Sequence, residues 1–201
     1  MQGCRLAAHQ LACRRGDRLL LTGLSFALAA GDSLHLAGPN GIGKSSLIRL
    51  LAGLLPPFSG SVDREGAVAL ADERAALDPQ QVLGRALGFW AGLDAAPDER
   101  RATAAATLGL TDLLAVPVGY LSTGQRKRAV LARVLASGAP IWLLDEPLNG
   151  LDAAACASVE RIVADHCGAG GIAVLASHQP LALTGVRRIE LAGHVPAEPA
   201  W

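Results

Sequence analysis

The spacing of apolar and polar positions changes character several times along the chain. Ile141–Leu144 and Ile172–Ala176 are unbroken apolar runs, the pattern of parallel strands covered on both faces. Leu19–Ala29 and Ser33–Ala37 read as further strands, and helical periodicity follows at Lys44–Leu54, Arg126–Ser137 and Ala153–Asp165. Between Gln80 and Leu114 the pattern turns helical and Ala-rich, with turn signals at Ala96-Pro97 and Pro117-Val118-Gly119. Strands alternating with helices predict an α/β fold. We expect one domain over residues 1–201, with a strand-rich core at about 1–77 and 138–201 and a helical insert at about 78–137. Repeats, low-complexity linkers and sustained heptads are not evident.

Composition narrows the class. The 201 residues suit one domain, and 51% hydrophobic against 18% charged residues is enough for a large core and excludes a disordered chain. Eighteen Lys and Arg balance eighteen Asp and Glu, so no long-range field gathers nucleic acid, and no nucleic-acid partner is expected. The longest apolar candidate for a membrane span, Leu19 to Ala30, is too short and is interrupted by Thr22 and Ser25. Met1-Gln2-Gly3-Cys4-Arg5 lacks the layout of a signal peptide, so the expectation is a soluble, cytoplasmic chain. Cys4, Cys13, Cys156 and Cys167 form no CxxC pair and have no His at metal-ligand spacing, which reads as small buried thiols rather than zinc ligands. Among the basic residues only Lys44 and Lys127 are lysines; in so Arg-rich a chain, a Lys marks a place where Arg would not serve.

Lys44 lies in Gly38-Pro39-Asn40-Gly41-Ile42-Gly43-Lys44-Ser45, which fits G-x-x-x-x-G-K-[ST] between a predicted strand and a predicted helix. Glycines let the backbone bend and aim successive N–H groups at phosphate oxygens, helped by the helix N-terminus that continues through Ser46. Lys44 is a compact charge that can reach β- and γ-phosphates, and the Ser45 hydroxyl suits Mg²⁺. Nucleotide binding follows.

Four further pieces come in order. Leu121-Ser122-Thr123-Gly124-Gln125 precedes a helical stretch beginning Arg126-Lys127-Arg128. A Ser and a Gly there make either a second anion site or an ordinary capped helix. Ile141-Trp142-Leu143-Leu144-Asp145-Glu146-Pro147 is a buried strand ending in two carboxylates: Asp145 is placed for Mg²⁺, and Glu146 for polarising an attacking water. Leu151-Asp152 follows, and Ile172–Ala176 leads into Ser177-His178. Taken singly, an acidic turn or a His after a strand is commonplace; the ordered set is not.

That ordered set resembles the nucleotide-binding domain of ABC-type ATPases over essentially the whole chain. The resemblance implies a P-loop NTPase (RecA-like) core with a mixed, largely parallel sheet and a helical subdomain. By it, Gly38–Ser45 correspond to the Walker A loop, and Leu121–Gln125 to the signature LSGGQ with Thr123 in place of its first glycine. Asp145 and Glu146 correspond to the Walker B Asp and catalytic Glu, Asn149–Asp152 to the D-loop, and His178 to the switch histidine that senses γ-phosphate. The family pairs two domains head to tail, so Ser122 and Gly124 of one copy would close on ATP held by Lys44 of the other. A homodimer and a separate membrane-spanning subunit are implied, with ATP and Mg²⁺ as ligands.

Within that class, Gly170-Gly171-Ile172-Ala173-Val174-Leu175-Ala176-Ser177-His178-Gln179-Pro180-Leu181 is similar to the cytochrome c maturation ATPases (CcmA-type), in which Gln-Pro follows the switch His. Gly23-Leu24-Ser25-Phe26 and the compact Leu50–Pro57 segment are similar too. That resemblance implies a subunit at the cytoplasmic face of the bacterial inner membrane that powers haem export or haem-chaperone release, with haem-handling maturation proteins as partners. Docking on the membrane subunit would involve Arg74 to Trp90. Two positions depart from the family. Asp72-Glu73-Arg74 stands where a Mg²⁺-touching Gln is usual, and Arg74 could meet phosphate but cannot ligate a metal. The aromatic that stacks on adenine is absent near Arg14-Arg15-Gly16, leaving Arg15 either solvated or laid over the base, with looser choice of ATP over GTP. The alternatives are an exporter of lipid, peptide or drug, a non-hydrolytic nucleotide-gated adaptor, or a DNA-repair ABC ATPase, the last disfavoured because no coiled-coil insert separates Lys44 from Ser122.

Overall fold

The computed structural model describes residues 3–72 and 76–196. The chain opens with a hairpin, β1 (Arg5–Arg15) and β2 (Arg18–Ala29), and then enters β3 (Ser33–Ala37) and α1 (Lys44–Leu51). It continues through β4 (Ser59–Glu65), β5 (Val68–Ala71), α2 (Leu83–Leu93), α3 (Asp98–Thr107) and α4 (Thr123–Ser137). The last elements are β6 (Ile141–Asp145), α5 (Ala153–Gly168), β7 (Ile172–Ser177) and β8 (Arg187–Glu190). Two sheets result. One is antiparallel, in the order β2-β1-β4; the other is parallel, in the order β5-β6-β7-β3-β8.

The two central strands of the parallel sheet explain its apolar runs. Every residue of β6 and β7 is buried. Ile141, Leu143, Ile172, Val174 and Ala176 face the cluster shared with β1, β2 and α1, while Trp142, Leu144, Ala173 and Leu175 face the cluster built with α2–α5. With side chains alternating between faces, a strand covered on both sides must be apolar at every position. Each fully buried Leu or Ile removes enough apolar surface to contribute about 1.5–3 kcal/mol.

Strand β1 was invisible to the pattern because it changes phase. Leu6 and Ala8 point into the core, and so do Leu11 and Cys13, with Gln10 at φ 45° and a register break between Ala8 and Leu11. A bulge of this kind adds one residue and flips the alternation. Strands β4, β5 and β8 are short or largely exposed and carry little apolar signal.

Helix ends differ from expectation for identifiable reasons. α1 stops at Leu51 rather than Leu54, because Gly53 takes φ 81° and the Gly53 and Leu54 N–H groups donate back to Leu50 and Arg49 carbonyls at 3.0 and 2.9 Å. α4 starts three residues before Arg126, where a reciprocal cap closes its first turn. Three of the four cysteines are buried and Cys156 is partly so; all are free thiols, and burial raises the pKa of each. Among the described residues no helix is long and apolar enough to cross a membrane.

Candidate functional site

Strand register decides what meets at the sheet edge. Ala37 at the end of β3 pairs with Ser177 of β7, and Ala176 of β7 pairs with Asp145 of β6. Gly38, Glu146 and His178 therefore leave the C-terminal edge of three adjacent parallel strands, the edge where open α/β sheets bind ligands. Between β3 and α1 the loop bends through Gly41 at φ 82° and Gly43 at φ 117°. A Cβ at Gly43 would lie 3.2 Å from Leu20 Cβ, so this glycine also lets the loop lie against β2. α1 has no side-chain cap and no acidic residue in its first turn. Its leading N–H groups are thus not taken by a side chain of the protein and suit an anion.

The Lys44 side chain is wrapped by its own loop. Nζ donates to the carbonyls of Gly38 at 2.8 Å and Pro39 at 3.2 Å, and to Asn40 Oδ1 at 3.4 Å. It also forms an ion pair with Glu146 Oε1 at 3.1 Å, with only 5% of the Lys44 side chain and 10% of the Glu146 side chain accessible. Ile42 packs back over Gly38, where a Cβ would meet its methyl groups at 3.1 and 3.3 Å. Glu146 itself has φ 47°, a left-handed backbone conformation that costs an L-residue about 1–2 kcal/mol and persists only where its surroundings enforce it. Its N–H donates to Ala176 O at 2.8 Å, and His178 Nδ1 donates to its Oε2 at 2.9 Å. Glu146 thus joins the phosphate loop on one side to the residue after β7 on the other.

A cavity of about 500 Å³ lies over this centre, lined by Gly41, Lys44, Ser45, Ser46, Glu146 and, from the hairpin, Arg15 and Arg18. Arg14 points elsewhere, its guanidinium 5.0 Å above the Phe58 ring. Arg15 and Arg18 are paired directly across the two-residue turn Gly16-Asp17, in which Gly16 adopts φ 58°. Reading β1 as a strand would have exposed Arg18 as well as Arg15; Asn149, expected from the resemblance as the start of the D-loop, also lines the cavity.

The residues from Leu121 to Gln125 are elsewhere. Ser122 Oγ accepts from the Gln125 N–H at 3.2 Å, and Gln125 Oε1 accepts from the Ser122 N–H at 2.8 Å, a closed capping box at the start of α4. Leu121 is buried beneath it. Ser122, Gly124 and Gln125 line a second cavity of about 480 Å³ together with Asp152, whose Oδ1 accepts from the Ala155 N–H at 2.8 Å and caps α5. Thr123 faces a third cavity, of about 300 Å³, with Asp145, Lys127 and Asn149. The structure thus gathers Lys44, Ser45, Glu146, His178 and Arg15 at one place, and Ser122, Gly124 and Asp152 at another. The two groups line separate cavities.

Among the described residues no group of three or more His, Cys, Asp or Glu is arranged to cage a metal. Ser45 at the cavity and Asp145, 2% exposed at the strand end, are hard oxygen donors. Oxygen donors of this kind suit Mg²⁺ that keeps water and phosphate oxygens in its shell, although Ser45 lines the first cavity and Asp145 the third. Of the segment expected to replace the usual Gln, Asp72 is held by Arg49 Nε and Nη2 at 3.1 and 3.0 Å, tying α1 to the end of β5; Glu73 and Arg74 lie outside the described residues.

Comparison with known proteins shows the family and the fold. Residues 21–149 match the ABC transporter family. The chain is 58% identical over 196 residues to the cytochrome c biogenesis ATP-binding export protein CcmA of Novosphingobium aromaticivorans, covering 98% of this chain and 100% of that one. It is 51% identical to the protein of the same name from Zymomonas mobilis, over 95% of this chain and 86% of that one. Among solved structures it resembles an ABC transporter ATP-binding protein from Pyrococcus furiosus at a TM-score of 0.84 and 22% identity, covering 96% and 100% of the two chains, which shows a shared fold.

Proposed function

The chain belongs to the CcmA family of ABC transporter ATP-binding proteins, and from that premise we propose how its residues bind and hydrolyse ATP in a complex serving c-type cytochrome assembly. The observation that carries the reading is the convergence of Lys44, Glu146 and His178 on one strand edge, with Ser122 and Asp152 in a separate cavity.

The triphosphate takes the place that the Gly38 and Pro39 carbonyls hold around Lys44. Backbone N–H groups of the loop and of the first turn of α1 receive its oxygens. Ser45 and Asp145, directly or through water, would hold Mg²⁺, which would supply neutralisation of the phosphate charge. Once Lys44 turns to phosphate, Glu146 is released from its ion pair and can accept a proton from the attacking water, while His178 holds the carboxylate through its Nδ1–H. Arg15 lines the same cavity and is the residue offered to the base. The half-site at Ser122, Gly124 and Asp152 closes on the nucleotide of a second copy, its helix N-terminus facing the γ-phosphate. ATP thereby bridges two copies, and hydrolysis separates them. We place the dimer on a membrane-spanning subunit at the cytoplasmic face of the inner membrane, where closure drives release of haem or of a haem-loaded carrier to the maturation proteins.

Glu146→Gln is the decisive variant. Loss of a general base lowers turnover by at least about 100-fold, and ATP-bound dimers should accumulate on size-exclusion chromatography. Turnover at the parental rate would remove Glu146 from the mechanism.

A further inference from the structure

Lys127 is the second of the chain's two lysines, and the mechanism above does not use it. It sits within Arg126-Lys127-Arg128, a run that would ordinarily be a solvated face of a helix. Here all three side chains donate to main-chain carbonyls. Arg126 Nη2 reaches back to Leu121 O at 3.3 Å, and Arg128 Nη1 reaches Leu108 O at 2.9 Å, beyond the end of α3. Lys127 Nζ crosses to β6 and donates to the carbonyl of Glu146.

That carbonyl belongs to Glu146, whose backbone is left-handed at φ 47° although, unlike Gly41 and Gly43 of the phosphate loop, it is not a glycine. Left to itself such a residue relaxes toward ordinary φ, and its side chain swings with the peptide. Two groups occupy the carbonyl, the Lys127 ammonium and the Asn149 N–H at 3.3 Å, while the Glu146 N–H is held by Ala176 O. The Asn149 contact is local to the turn and moves with it. Lys127 anchors the same oxygen to a different element, α4, whose first turn carries Ser122 and Gly124.

We propose that Lys127 is a positioning residue that holds the Glu146 peptide in its left-handed conformation and so aims the carboxylate at the attacking water. The proposal rests on Glu146 as the base. What the carbonyl requires is a donor at this distance from α4; Arg can supply one, Met and Ala cannot.

The test compares the purified full chain with its Lys127→Met, Lys127→Ala and Lys127→Arg variants. Loss of one charged donor to a carbonyl is expected to lower kcat about tenfold in Lys127→Met. KM for ATP and the melting temperature should stay at parental values, and Lys127→Arg should recover most of the rate. Hydrogen exchange supplies a readout that needs no turnover: amides of residues 145–150 should exchange faster in Lys127→Met and at the parental rate in Lys127→Arg. Parental kcat in Lys127→Met, or unchanged protection of 145–150, overturns the proposal. So does a loss of rate that tracks a falling melting temperature and is not recovered by Arg. If Lys127→Met does not fold, Lys127→Ala carries the same comparison. A parental chain that fails to hydrolyse ATP would sink the assignment of Glu146, while the exchange measurement still decides whether Lys127 holds the peptide.

Discussion

At the scale of single residues, the site depends on glycines at positive φ and on one buried ion pair. Gly43→Ala would place a methyl 3.2 Å from Leu20 Cβ at φ 117°. The expected result is loss of binding of a fluorescent ATP analogue, with destabilisation of about 1–2 kcal/mol from the backbone alone, measured by urea unfolding. The phosphate loop could be read residue by residue in the sequence, because its spacing is dictated by the phosphates rather than by the rest of the fold. The Lys44–Glu146 contact could not be read that way. It depends on the register of β3, β7 and β6, which no local pattern encodes. Arg18 escaped for a similar reason, since it becomes a neighbour of Arg15 only through the hairpin.

At the scale of elements, β2, β3, β6 and β7 were legible in the sequence, whereas β1, β4, β5 and β8 were not. β6 and β7 declare themselves by unbroken apolar runs, whereas the bulge at Gln10 scrambles the alternation of β1, and β4 exposes six of its seven residues. The Ala-rich insert gave its helices but not their ends. The start of α4 shows how two readings of one motif can both hold. Ser122 is an N-cap in the isolated chain and, in the proposed dimer, a ligand of the partner's nucleotide. Ser122→Ala should therefore cost about 1 kcal/mol of stability through the lost cap. Binding of a fluorescent ADP at Lys44 should be unchanged, while ATP turnover falls by more than the stability loss explains; equal turnover in parent and variant would leave Ser122 as a cap alone.

At the scale of the whole molecule, one buried and one half-buried imidazole bear on how stability follows pH. His35, 2% exposed, donates to Ser177 O at 3.2 Å; His166 stacks on Trp142 at 3.8 Å and donates to Ile172 O at 3.3 Å. Burial lowers both pKa values from 6.5, offset in part by those backbone bonds. The unfolded chain then binds more protons than the folded one as pH falls through 6.5, so stability is full above that value and declines below it. Urea midpoints between pH 8 and pH 5 should fall, and His166→Phe should flatten part of the slope. The membrane complex is tested by co-expression with neighbouring genes: ATP-dependent recovery of a membrane subunit with haem-handling proteins supports the proposed assembly, and recovery of an unrelated permease discards the haem assignment while leaving the ATPase in place. The hairpin carries a kinetic consequence as well. Lys44 is already neutralised by Glu146 and sheltered by carbonyls, whereas Arg15 and Arg18, paired across the hairpin turn, are exposed where they line the cavity. An approaching nucleotide meets the two guanidiniums first and exchanges with the ion pair afterwards. Capture and retention are thus assigned to different charges: in stopped-flow measurements, association should slow with ionic strength through Arg15 and Arg18, and dissociation should answer to Lys44.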